Sequence, residues 1–501
     1  MLCSSQHHDV TITGGTFTEV QGDVNHYHIK GNYHNHNAEV GEFEGVGIMV
    51  FPLNLILNPG LHILSQSTSL GAIHDSSERF PPPKCHPDTR HEVISVVMRW
   101  IEDDNPDSSV FWIYGPAGAG KSAIAQTLAE LIQASGRNYG GSFFFSRGKI
   151  GRDQAHHLFT TIAYQLAFHN TSFREHLNRI LYENPTLPTK PINIQMQALI
   201  VEPLAKLNGS LHSVPVIIID GLDECNGHDA QQLILTVIAE ALRKSRTSLR
   251  FLIASRPEAH LREAFDSDQL YTITRRLVLD ETFNPNKDIE IYLKDGFDSI
   301  YEQHKQFMAD IEKPWPSDGV VDLLVQKASG QFIYAATVLK FVGEEYYRPN
   351  KQLDIVLQPT PRRSTAFPDL DALYTQILLT CPHRASLLLI LGTILIFHCP
   401  QLPEVIEDIF LMERNEVNLV LRSLRSLVRI PGIECRGSQH DGEAEGEDDK
   451  GLRFYHASFH DFLVDEGRSG PFYIDLEEFL SKFTTSGFRV ISRFMPATFT
   501  R

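Results

Sequence analysis

A glycine-rich octapeptide with the spacing G-x-x-x-x-G-K-S, GPAGAGKS, occupies residues 115–122, between the strand-like run VFWIY and the helix-like run AIAQTLAELIQ. In such a loop, glycines let backbone N–H groups converge on a phosphate, and the start of the following helix favours negative charge. The lysine reaches the β- and γ-phosphates, while the adjacent hydroxyl ligates Mg²⁺. A strand-to-helix turn that binds nothing is the alternative. The expected nucleotide ligands are Gly115, Pro116, Ala117, Gly118, Ala119, Gly120, Lys121, Ser122 and Ala123.

A carboxylate-bearing strand end supplies the second signal. The apolar run VPVIIID ends at Asp220, and Asp223 and Glu224 follow shortly after it. If this strand neighbours the phosphate loop, Asp220 joins Ser122 as a Mg²⁺ ligand. Either Asp223 or Glu224 would then polarise an attacking water. Solvated carboxylates in an ordinary turn are the alternative.

A third strand end carries a cation. The run FLIASRPE places Arg256 directly after an apolar strand, where its guanidinium can sense a γ-phosphate and stabilise its charge in cis. A solvated arginine at a strand end is the alternative. Arg256 joins Asp223 and Glu224 as the expected catalytic set.

The order of strand-like and helix-like runs indicates the scaffold that brings these residues together. Between residues 110 and 256 short apolar runs alternate with amphipathic helical runs, which predicts an α/β fold with a parallel sheet. Beyond residue 280 helical patterns dominate, and residues 402–463 have the pattern helix, helix, short β-pair, helix. Residues 1–45 are polar and rich in Gly, Asn and His, so we expect a disordered leader with short alternating strands as its best structure.

The bulk composition excludes several classes of protein. Lys and Arg number 45 against 62 Asp and Glu, and the net charge of −17 argues against binding nucleic acid or an anionic membrane. The six cysteines form no C-x-x-C pair, which argues against a zinc ribbon or a disulfide framework and favours a reducing compartment. Two apolar runs, 46–57 and 386–397, are shorter than the ~20 residues that span a bilayer. We therefore expect a cytoplasmic protein that binds neither DNA nor membranes.

The three motifs in this order resemble a NACHT module, a signal-transduction (STAND) branch of the AAA+-like P-loop NTPases. They are GPAGAGKS at 115–122, DGLDE at 220–224 and SRP at 255–257. Further runs, including HDSSERFPPPKCHPDTR, TTIAYQLA, KASGQFIYAATVLKFV and LDALYTQIL, are similar to the large fungal NACHT set with a nephrocystin-type nucleotide domain. The resemblance extends over about residues 74–475.

The resemblance implies a P-loop NTPase domain of AAA+/STAND type, followed by an all-α helical domain and a winged-helix domain that close over the nucleotide. The expected boundaries are 1–45 for the leader, 46–90 for a linker and pre-NTPase segment, 91–275 for the NTPase domain, 276–380 for the helical domain, 381–475 for the winged helix and 476–501 for a tail. The predicted wing carries the acidic run DGEAEGEDDK, which would repel DNA phosphates. No repeat follows it, so a ligand-sensing part is expected to be absent, supplied in trans, or missing from this gene model.

Three further site residues come from the resemblance alone. Thr89 and Arg90 lie where family members approach the adenine and ribose. His456, in the stretch RFYHASFHDFL, has the same spacing from D-F-L as a histidine of related apoptotic ATPases that contacts the β-phosphate of ADP. A packed core histidine is the alternative. The run SGQFIY has Phe332 where related switch ATPases often have an adenine-contacting proline, so that contact is not carried over.

The resemblance also implies a molecular switch of the NOD-like receptor type, in innate immunity or programmed cell death. ADP would hold it closed, exchange for ATP–Mg²⁺ would open it for homo-oligomerisation and for an unidentified protein effector, and slow hydrolysis would reset it. A steady-turnover ATPase or P-loop kinase, and a scaffold with a structural nucleotide, are the alternatives.

The leader offers two further hypotheses. The run around VQGDVN could template cross-β stacking with like chains. The pairs His26/His28 and His34/His36 could bind a metal, but they lack the further ligands of a metal cage.

Overall fold

The chain is represented by a computed structural model that describes residues 15–18, 24–29, 47–52, 58–103, 106–136, 138–207, 213–244, 249–359, 365–397, 402–430, 451–481 and 483. The acidic run DGEAEGEDDK, His34, His36 and most of the predicted tail lie outside these residues. No helix within the described ranges has the length and apolarity needed to cross a membrane.

Three short strands lie in and just after the predicted leader: β1 (Gly15–Thr18), β2 (Val24–Ile29) and β3 (Gly47–Pro52). They form an antiparallel sheet in the order β1-β2-β3. Threonine, valine and aromatic residues favour such strands. At these positions the chain adopts the short strands that the leader's alternating pattern allows. The disordered leader stays a prediction.

A five-stranded parallel sheet forms the centre of the NTPase region. Its strands are β4 (Val110–Tyr114), β5 (Tyr139–Phe144), β6 (Val216–Asp220), β7 (Arg250–Ser255) and β8 (Thr274–Val278). Their order is β5-β6-β7-β4-β8, and every neighbouring pair is parallel. The central strands are near-continuous apolar runs because both faces of the sheet are covered. This confirms the predicted α/β fold with a P-loop NTPase sheet.

The strand order shows which strand lies directly beside the one that leads into the phosphate loop. Strand β6, which ends at Asp220, does not pair with β4, the strand that leads into GPAGAGKS, because β7 lies between them. The strand directly before Arg256 is thus the immediate neighbour of the phosphate-loop strand. Asp220 still reaches the loop, since the carboxyl ends of parallel strands lie at the same edge of a sheet.

Helices pack on both faces of this sheet. Those of the NTPase region are α1 (Pro59–Ser65), α2 (His91–Glu102), α3 (Lys121–Ala134), α4 (Leu158–His169), α5 (Thr171–Glu183), α6 (Ile192–Gln195), α7 (Glu202–Ala205), α8 (His228–Lys244) and α9 (Ala259–Asp266). A π-helical segment, Met196–Val201, joins α6 to α7. Alternate strand residues enter two cores, as the period of a strand requires: Trp112 and Ile219 belong to one, Phe111 and Ile218 to the other.

The C-terminal half is helical. It contains α10 (Pro285–Gln303), α11 (Asp318–Ala328), α12 (Phe332–Val342), α13 (Pro349–Leu357), α14 (Pro368–Leu379), α15 (Arg384–Ile396), α16 (Pro403–Phe410), α17 (Glu416–Leu421), α18 (Ala457–Leu463) and α19 (Glu466–Ser469). Two-residue strands, β9 (Val428–Arg429) and β10 (Arg453–Phe454), form an antiparallel pair between α17 and α18 in the chain. One hydrophobic core runs from Ile289 to Phe479, so the predicted helical and winged-helix domains share it. The winged helix itself stays a prediction, since most residues that join the two strands are not described.

Short 3-10 helices connect these elements: Leu70–Ala72, Ser77–Arg79, Ala155–His157, Leu187–Thr189, Leu222–Glu224, Tyr271–Ile273, Glu281–Phe283, Arg422–Leu424 and Gly470–Phe472. The helix Ser77–Arg79 and the residue that follows it, Phe80, contact the C-terminal strand pair. Arg453 Nη1 donates to the Glu78 carbonyl oxygen at 3.2 Å, and Arg429 Nη1 donates to the Phe80 carbonyl oxygen at 3.4 Å. The β9–β10 pair therefore lies against the segment that precedes α2.

Candidate phosphate-binding site

The loop between β4 and α3 has the backbone shape of a phosphate cradle. Gly118 and Gly120 have φ of +77° and +92°, which side chains other than glycine rarely adopt. Nothing lies within 4 Å of the point where Gly120 would carry a Cβ, so the loop is open there. Helix α3 begins directly at Lys121 and has 14 residues, so its positive N-terminal end lies at the loop. The backbone of residues 115–123 therefore suits an anionic phosphate group.

Lys121 folds back on this loop. Its Nζ atom donates to the carbonyl oxygens of Gly115 and Pro116, each at 2.8 Å. Burial lowers the pKa of Lys121, an effect that the nearby Asp223 opposes and Arg256 reinforces. Neutral carbonyls are weaker partners for an ammonium group than a phosphate, so a bound nucleotide would draw Lys121 off them.

Ser122 and Asp220 form the candidate Mg²⁺ site. The Ser122 hydroxyl hydrogen-bonds to the Asp220 carboxyl group, whose pKa is raised by burial. Asp220 is only 4 % exposed, yet its Oδ1 atom has no hydrogen-bond partner. A buried carboxylate oxygen without a partner is unfavourable, and a hard cation with oxygen ligands satisfies it. The pair therefore fits Mg²⁺.

The 3-10 turn Leu222–Glu224 gives its two carboxylates different surroundings. Asp223 Oδ1 accepts from the Arg256 backbone N–H at 2.9 Å, and Asp223 Oδ2 lies 3.2 Å from Arg256 Nε. Glu224 Oε2 accepts from the Arg147 backbone N–H at 3.1 Å. Burial, together with the Asp223 charge, raises the pKa of Glu224 to about 7. A carboxylate that titrates near neutrality suits a general base, so the geometry favours Glu224 over Asp223 for activating water.

Arg256 pairs with a carboxylate that no motif assigns a role. Its Nη1 atom lies 2.5 Å from Oδ2 of Asp461 on α18, and Arg147 Nη1 lies 3.3 Å from Oδ1 of the same carboxylate. Burial raises the pKa of Asp461, but the adjacent His460, whose Nδ1 lies 3.7 Å from Oδ1, and the charges of Arg256 and Arg147 outweigh it and hold the pKa well below its usual range. An ionised Asp461 thus links the C-terminal half to the carboxyl edge of the sheet.

His456 is the N-cap residue of α18 and lies close to the same charges. Its Nδ1 atom accepts from the Ser458 backbone N–H at 3.0 Å and lies 2.6 Å from the Ser458 hydroxyl oxygen. This arrangement assigns the ring proton to Nε2. Burial, and after it the positive charges of Arg256 and Lys121, lower the pKa of His456 to about 4. At neutral pH His456 is therefore an uncharged hydrogen-bond donor within electrostatic range of Lys121.

Thr89 and Arg90 precede α2 and are buried, at 1 % and 4 % exposure. Arg90 has a left-handed backbone, with φ of 59°, and its Nη2 atom donates to the Ala119 carbonyl oxygen of the phosphate loop at 2.9 Å. Its guanidinium lies 4.7 Å from the Phe332 ring, and its buried Nη1 atom has no hydrogen-bond partner. Arg90 is thus fixed against the loop while two of its nitrogen atoms, Nε and Nη1, make no hydrogen bond. The Thr89 hydroxyl, in contrast, bonds to the His86 carbonyl oxygen of its own turn.

The start of α12 also packs on the phosphate loop. The Ile333 backbone N–H donates to the Gly118 carbonyl oxygen at 3.3 Å, and a Cβ at Gly118 would lie 2.2 Å from Ile333 Cγ2. Glycine is therefore required at this position by close approach as well as by φ. Phe332, the residue before, covers Arg90 where the related turn often has a proline.

Most residues that the sequence predicts for the site come together at one edge of the sheet. The charges around Lys121 are those of Asp220, Asp223, Glu224 and Arg256, with His456 close by. Motif reading misses Asp461 and Arg147. A signal for Asp461 exists, since it is the acidic residue of the D-F-L that defines the spacing of His456, but Arg147 stands in a loop without a motif.

Residues 94–256 match the family model described as nephrocystin 3, N-terminal. This span contains the phosphate loop, the acidic turn and Arg256, and it confirms the nephrocystin-type resemblance for the NTPase region. It does not include Thr89, Arg90 or α18. No curated protein matches the chain significantly.

Several solved structures are similar at low identity. The Orc1 protein of Aeropyrum pernix, solved in complex with DNA, is 13 % identical with a TM-score of 0.31, over 81 % of this chain and 92 % of that one. Cdc6p from Pyrobaculum aerophilum is 14 % identical with a TM-score of 0.35, over 71 % of this chain and 92 % of that one. PCH-2 of C. elegans is 14 % identical with a TM-score of 0.28, over 62 % and 72 %. These likenesses are too low to support an inference about function or partners.

Proposed function

Because the chain contains a nephrocystin-type, AAA+-like P-loop NTPase region, we propose that it is an ATP/ADP-dependent molecular switch of the NACHT, NOD-like receptor type. In the closed state, ADP and α18 share the carboxyl edge of the sheet. Exchange for ATP–Mg²⁺ releases α18 and allows homo-oligomerisation, which engages a protein effector in a cytoplasmic immune or cell-death response of a fungus. Slow hydrolysis restores the closed state.

The pairing of Arg256 with Asp461 carries this proposal. Arg256 follows β7, beside the phosphate-loop strand, where a guanidinium would meet the γ-phosphate of ATP. That guanidinium lies between Asp223 and Asp461 in the structure. A γ-phosphate and the Asp461 carboxylate would therefore compete for one cation. ADP has no γ-phosphate and leaves the Arg256–Asp461 pair intact, which is the differential affinity that a switch needs.

His456 would give α18 a second connection to the nucleotide. Its uncharged ring and its proton on Nε2 support a hydrogen bond donated to the β-phosphate of ADP. The bond exists only while α18 is docked, so it strengthens ADP binding in the closed state and is lost on opening.

The remaining site residues bind the nucleotide and hydrolyse ATP. Lys121 contacts the β- and γ-phosphates. Ser122 and Asp220 hold Mg²⁺, which neutralises charge on the phosphate oxygens. Glu224 accepts the proton of the attacking water, while Asp223 keeps Arg256 in place. Thr89 and Arg90 approach the adenine and ribose, supported by the contact of Arg90 with the loop.

Identification of the nucleotide released when the purified chain is denatured tests the closed state. We expect about one equivalent of ADP per chain, and none from Lys121→Ala. Exchange for a slowly hydrolysed ATP analogue with Mg²⁺ should then shift the chain to larger oligomers in light scattering. Absence of bound nucleotide, or rapid multiple turnover by a monomer, contradicts the switch. An oligomeric state that is the same with either nucleotide would identify a scaffold with a structural nucleotide.

A further inference from the structure

His228, Glu258 and His260 form a cluster close to the acidic turn. His228 is the first residue of α8, Glu258 directly precedes α9, and His260 lies in the first turn of α9. One potential ligand atom from each of the three lies within 4.8 Å of the other two. The two imidazole rings have centroids 4.0 Å apart, and Glu258 Oε2 lies 3.8 Å from His260 Nδ1. Two imidazoles and a carboxylate are a donor set typical of zinc sites.

A buried glutamine fixes the orientation of His260. Gln231 is 2 % exposed, and its side-chain nitrogen donates to the Cys225 carbonyl oxygen at 2.7 Å and to the Asp223 carbonyl oxygen at 3.3 Å. The Gln231 Oε1 atom therefore faces His260 Nε2, at 2.6 Å, and accepts a hydrogen bond from it. The proton of the neutral ring is thus assigned to Nε2, and Nδ1 has a lone pair.

This tautomer leaves two electron-rich atoms opposite each other. His260 Nδ1, which has the lone pair in this tautomer, lies 3.8 Å from Glu258 Oε2, too far for a hydrogen bond. A cation at this point satisfies both atoms. Histidines that ligate metals commonly donate their other N–H to a protein oxygen, as His260 does to Gln231. A second proton on His260 is the competing explanation, because it would make an imidazolium paired with Glu258.

We propose that His228, Glu258 and His260 bind a divalent transition-metal ion of the zinc class, at a site separate from the Mg²⁺ site of the nucleotide. Nitrogen ligands select such an ion, whereas Mg²⁺ prefers oxygen ligands. Two stacked rings do not direct their lone pairs at one ion, so the exposed His228 turns its ring on binding while Gln231 keeps His260 fixed. Three protein ligands leave a fourth position for water.

The ion is linked to the phosphate site by short chains of contacts. Gln231, which orients His260, also donates to the Asp223 carbonyl oxygen, and Glu258 stands two residues after Arg256. Metal binding therefore ties the segment that carries Arg256 to the start of α8. Since the unfolded chain has no such preformed site, added Zn²⁺ should also raise the thermal stability of the chain.

Co²⁺ alone is the probe, because tetrahedral Co²⁺ has strong visible absorption bands and a thiolate ligand adds a near-ultraviolet band. Titration into the full chain, after treatment with a chelator, should give one equivalent of tetrahedral Co²⁺ without the thiolate band, and Zn²⁺ should displace it. Gln231→Ala removes only the orienting contact and should lower the affinity by about 10- to 100-fold. His260→Ala, and Glu258→Gln with its unchanged shape, should lower the affinity at least as much.

Two controls locate the site on the chain. Alanine in place of His26, His28, His34 and His36 tests the leader, and His86→Ala tests the other described group of candidate ligands, His86, Asp88 and Asp295. Both controls should keep the Co²⁺ bands. Weakly absorbing octahedral Co²⁺ in the wild-type chain would overturn the proposal and favour a protonated His260. Bands that survive His260→Ala and disappear in either control would overturn it as well.

Discussion

The phosphate loop and helix α18 approach the same charges, but they are built in different ways. The loop is contiguous, from Gly115 to Ala123, and its chemistry follows from its backbone shape and from the start of α3. Helix α18 contributes Asp461, and His456 is its N-cap residue. The partner of Asp461 is Arg256, which directly follows β7 and stands 205 positions earlier in the chain. One region is defined by local sequence, and the other by how two distant parts of the chain pack.

This difference assigns different tasks to the two regions. The loop takes its shape mainly from its own glycines and from the start of α3, and its described contact with the C-terminal half is the packing of Ile333 on Gly118. We therefore expect phosphate affinity to belong mainly to the NTPase region. Contacts made by a distant helix are lost together when that helix moves, and such an all-or-none change can transmit a signal. Substitutions in the loop and the acidic turn should therefore abolish binding or hydrolysis, whereas substitutions in α18 should preserve binding and change the state of the protein.

The largest effect is expected for hydrolysis by Glu224→Gln. The variant keeps the shape of the side chain and removes the proton acceptor, so single-turnover hydrolysis should fall by about 10²- to 10⁴-fold while ATP binding is retained. Because the pKa of Glu224 is about 7 and the base acts when ionised, the wild-type rate should rise as the pH increases through that value. Rapid-quench measurements over a pH series check both statements. Hydrolysis at the wild-type rate by Glu224→Gln would place the base elsewhere, and Asp223→Asn is the next variant to compare.

Lys121→Ala tests the loop as the binding element. Loss of the ammonium contact with the phosphates in this partly desolvated site should cost about 3 kcal/mol, or roughly 100-fold in affinity. ADP and ATP should both be weakened, since both have a β-phosphate. Titration calorimetry measures the change, with the exposed Lys206→Ala as the matched control. If Lys121→Ala binds ADP and ATP with unchanged affinity, the loop is not the main binding element, and the proposed division between a binding loop and a regulatory helix is wrong.

Asp461→Asn tests α18 as the regulatory element. The substitution preserves size and removes the charge that Arg256 and Arg147 share. Because these side chains are partly exposed, we expect a loss between the values for surface and buried ion pairs. The closed state should be destabilised by about 2 kcal/mol, which lowers the closed-to-open ratio roughly 30-fold. ADP should dissociate faster, and light scattering should detect oligomers at lower ATP concentrations.

A matched control separates this effect from a general loss of acidic charge. Asp354→Asn removes a carboxylate from an exposed ion pair with Lys351 and should leave the oligomeric state unchanged. Arg147→Gln should act in the direction of Asp461→Asn but more weakly, since Arg147 is 40 % exposed. If Asp461→Asn behaves like Asp354→Asn, the Arg256–Asp461 pair is only a structural contact.

The first region could be predicted from the sequence because its signals are local. The loop between a strand and a helix, the parallel sheet and the buried strand that ends at Asp220 all follow from spacings within a few residues. The place of β6 relative to the loop strand could not be predicted in this way. Strand order is set by crossover connections, and no local pattern records which strand lies beside β4.

The second region could be predicted only in part. Spacing from D-F-L singled out His456, but Asp461 in the same motif received no role because its partners, Arg147 and Arg256, lie at distant strand ends. The contact of Gln231 with His260 could not be predicted either, since Gln231 occupies an ordinary polar position in a helical pattern. Such contacts depend on how the cores pack against each other, and hydrophobic periodicity does not encode that arrangement.

The smallest effect concerns the protonation of His456. Its pKa in the folded chain is lowered to about 4, so the unfolded chain binds a proton at this position before the folded chain does. The stability contributed by the neutral ring is complete above the ordinary pKa of 6.5 and is lost as the pH falls from there toward about 4. His456→Gln retains an uncharged donor and should lose less free energy of unfolding on acidification, by on the order of 1 kcal/mol for this partly exposed ring.

Denaturant titrations at about pH 7 and about pH 5 measure this difference, with the exposed His62→Gln as control. Protonation places a positive charge beside Lys121 and Arg256, so acid should loosen α18 before it affects the loop. The wild-type chain should therefore release ADP faster at the lower pH, and His456→Gln should show a smaller acceleration. Equal acceleration in both would mean that α18 does not reach the phosphate site in solution, and the two regions would then act independently.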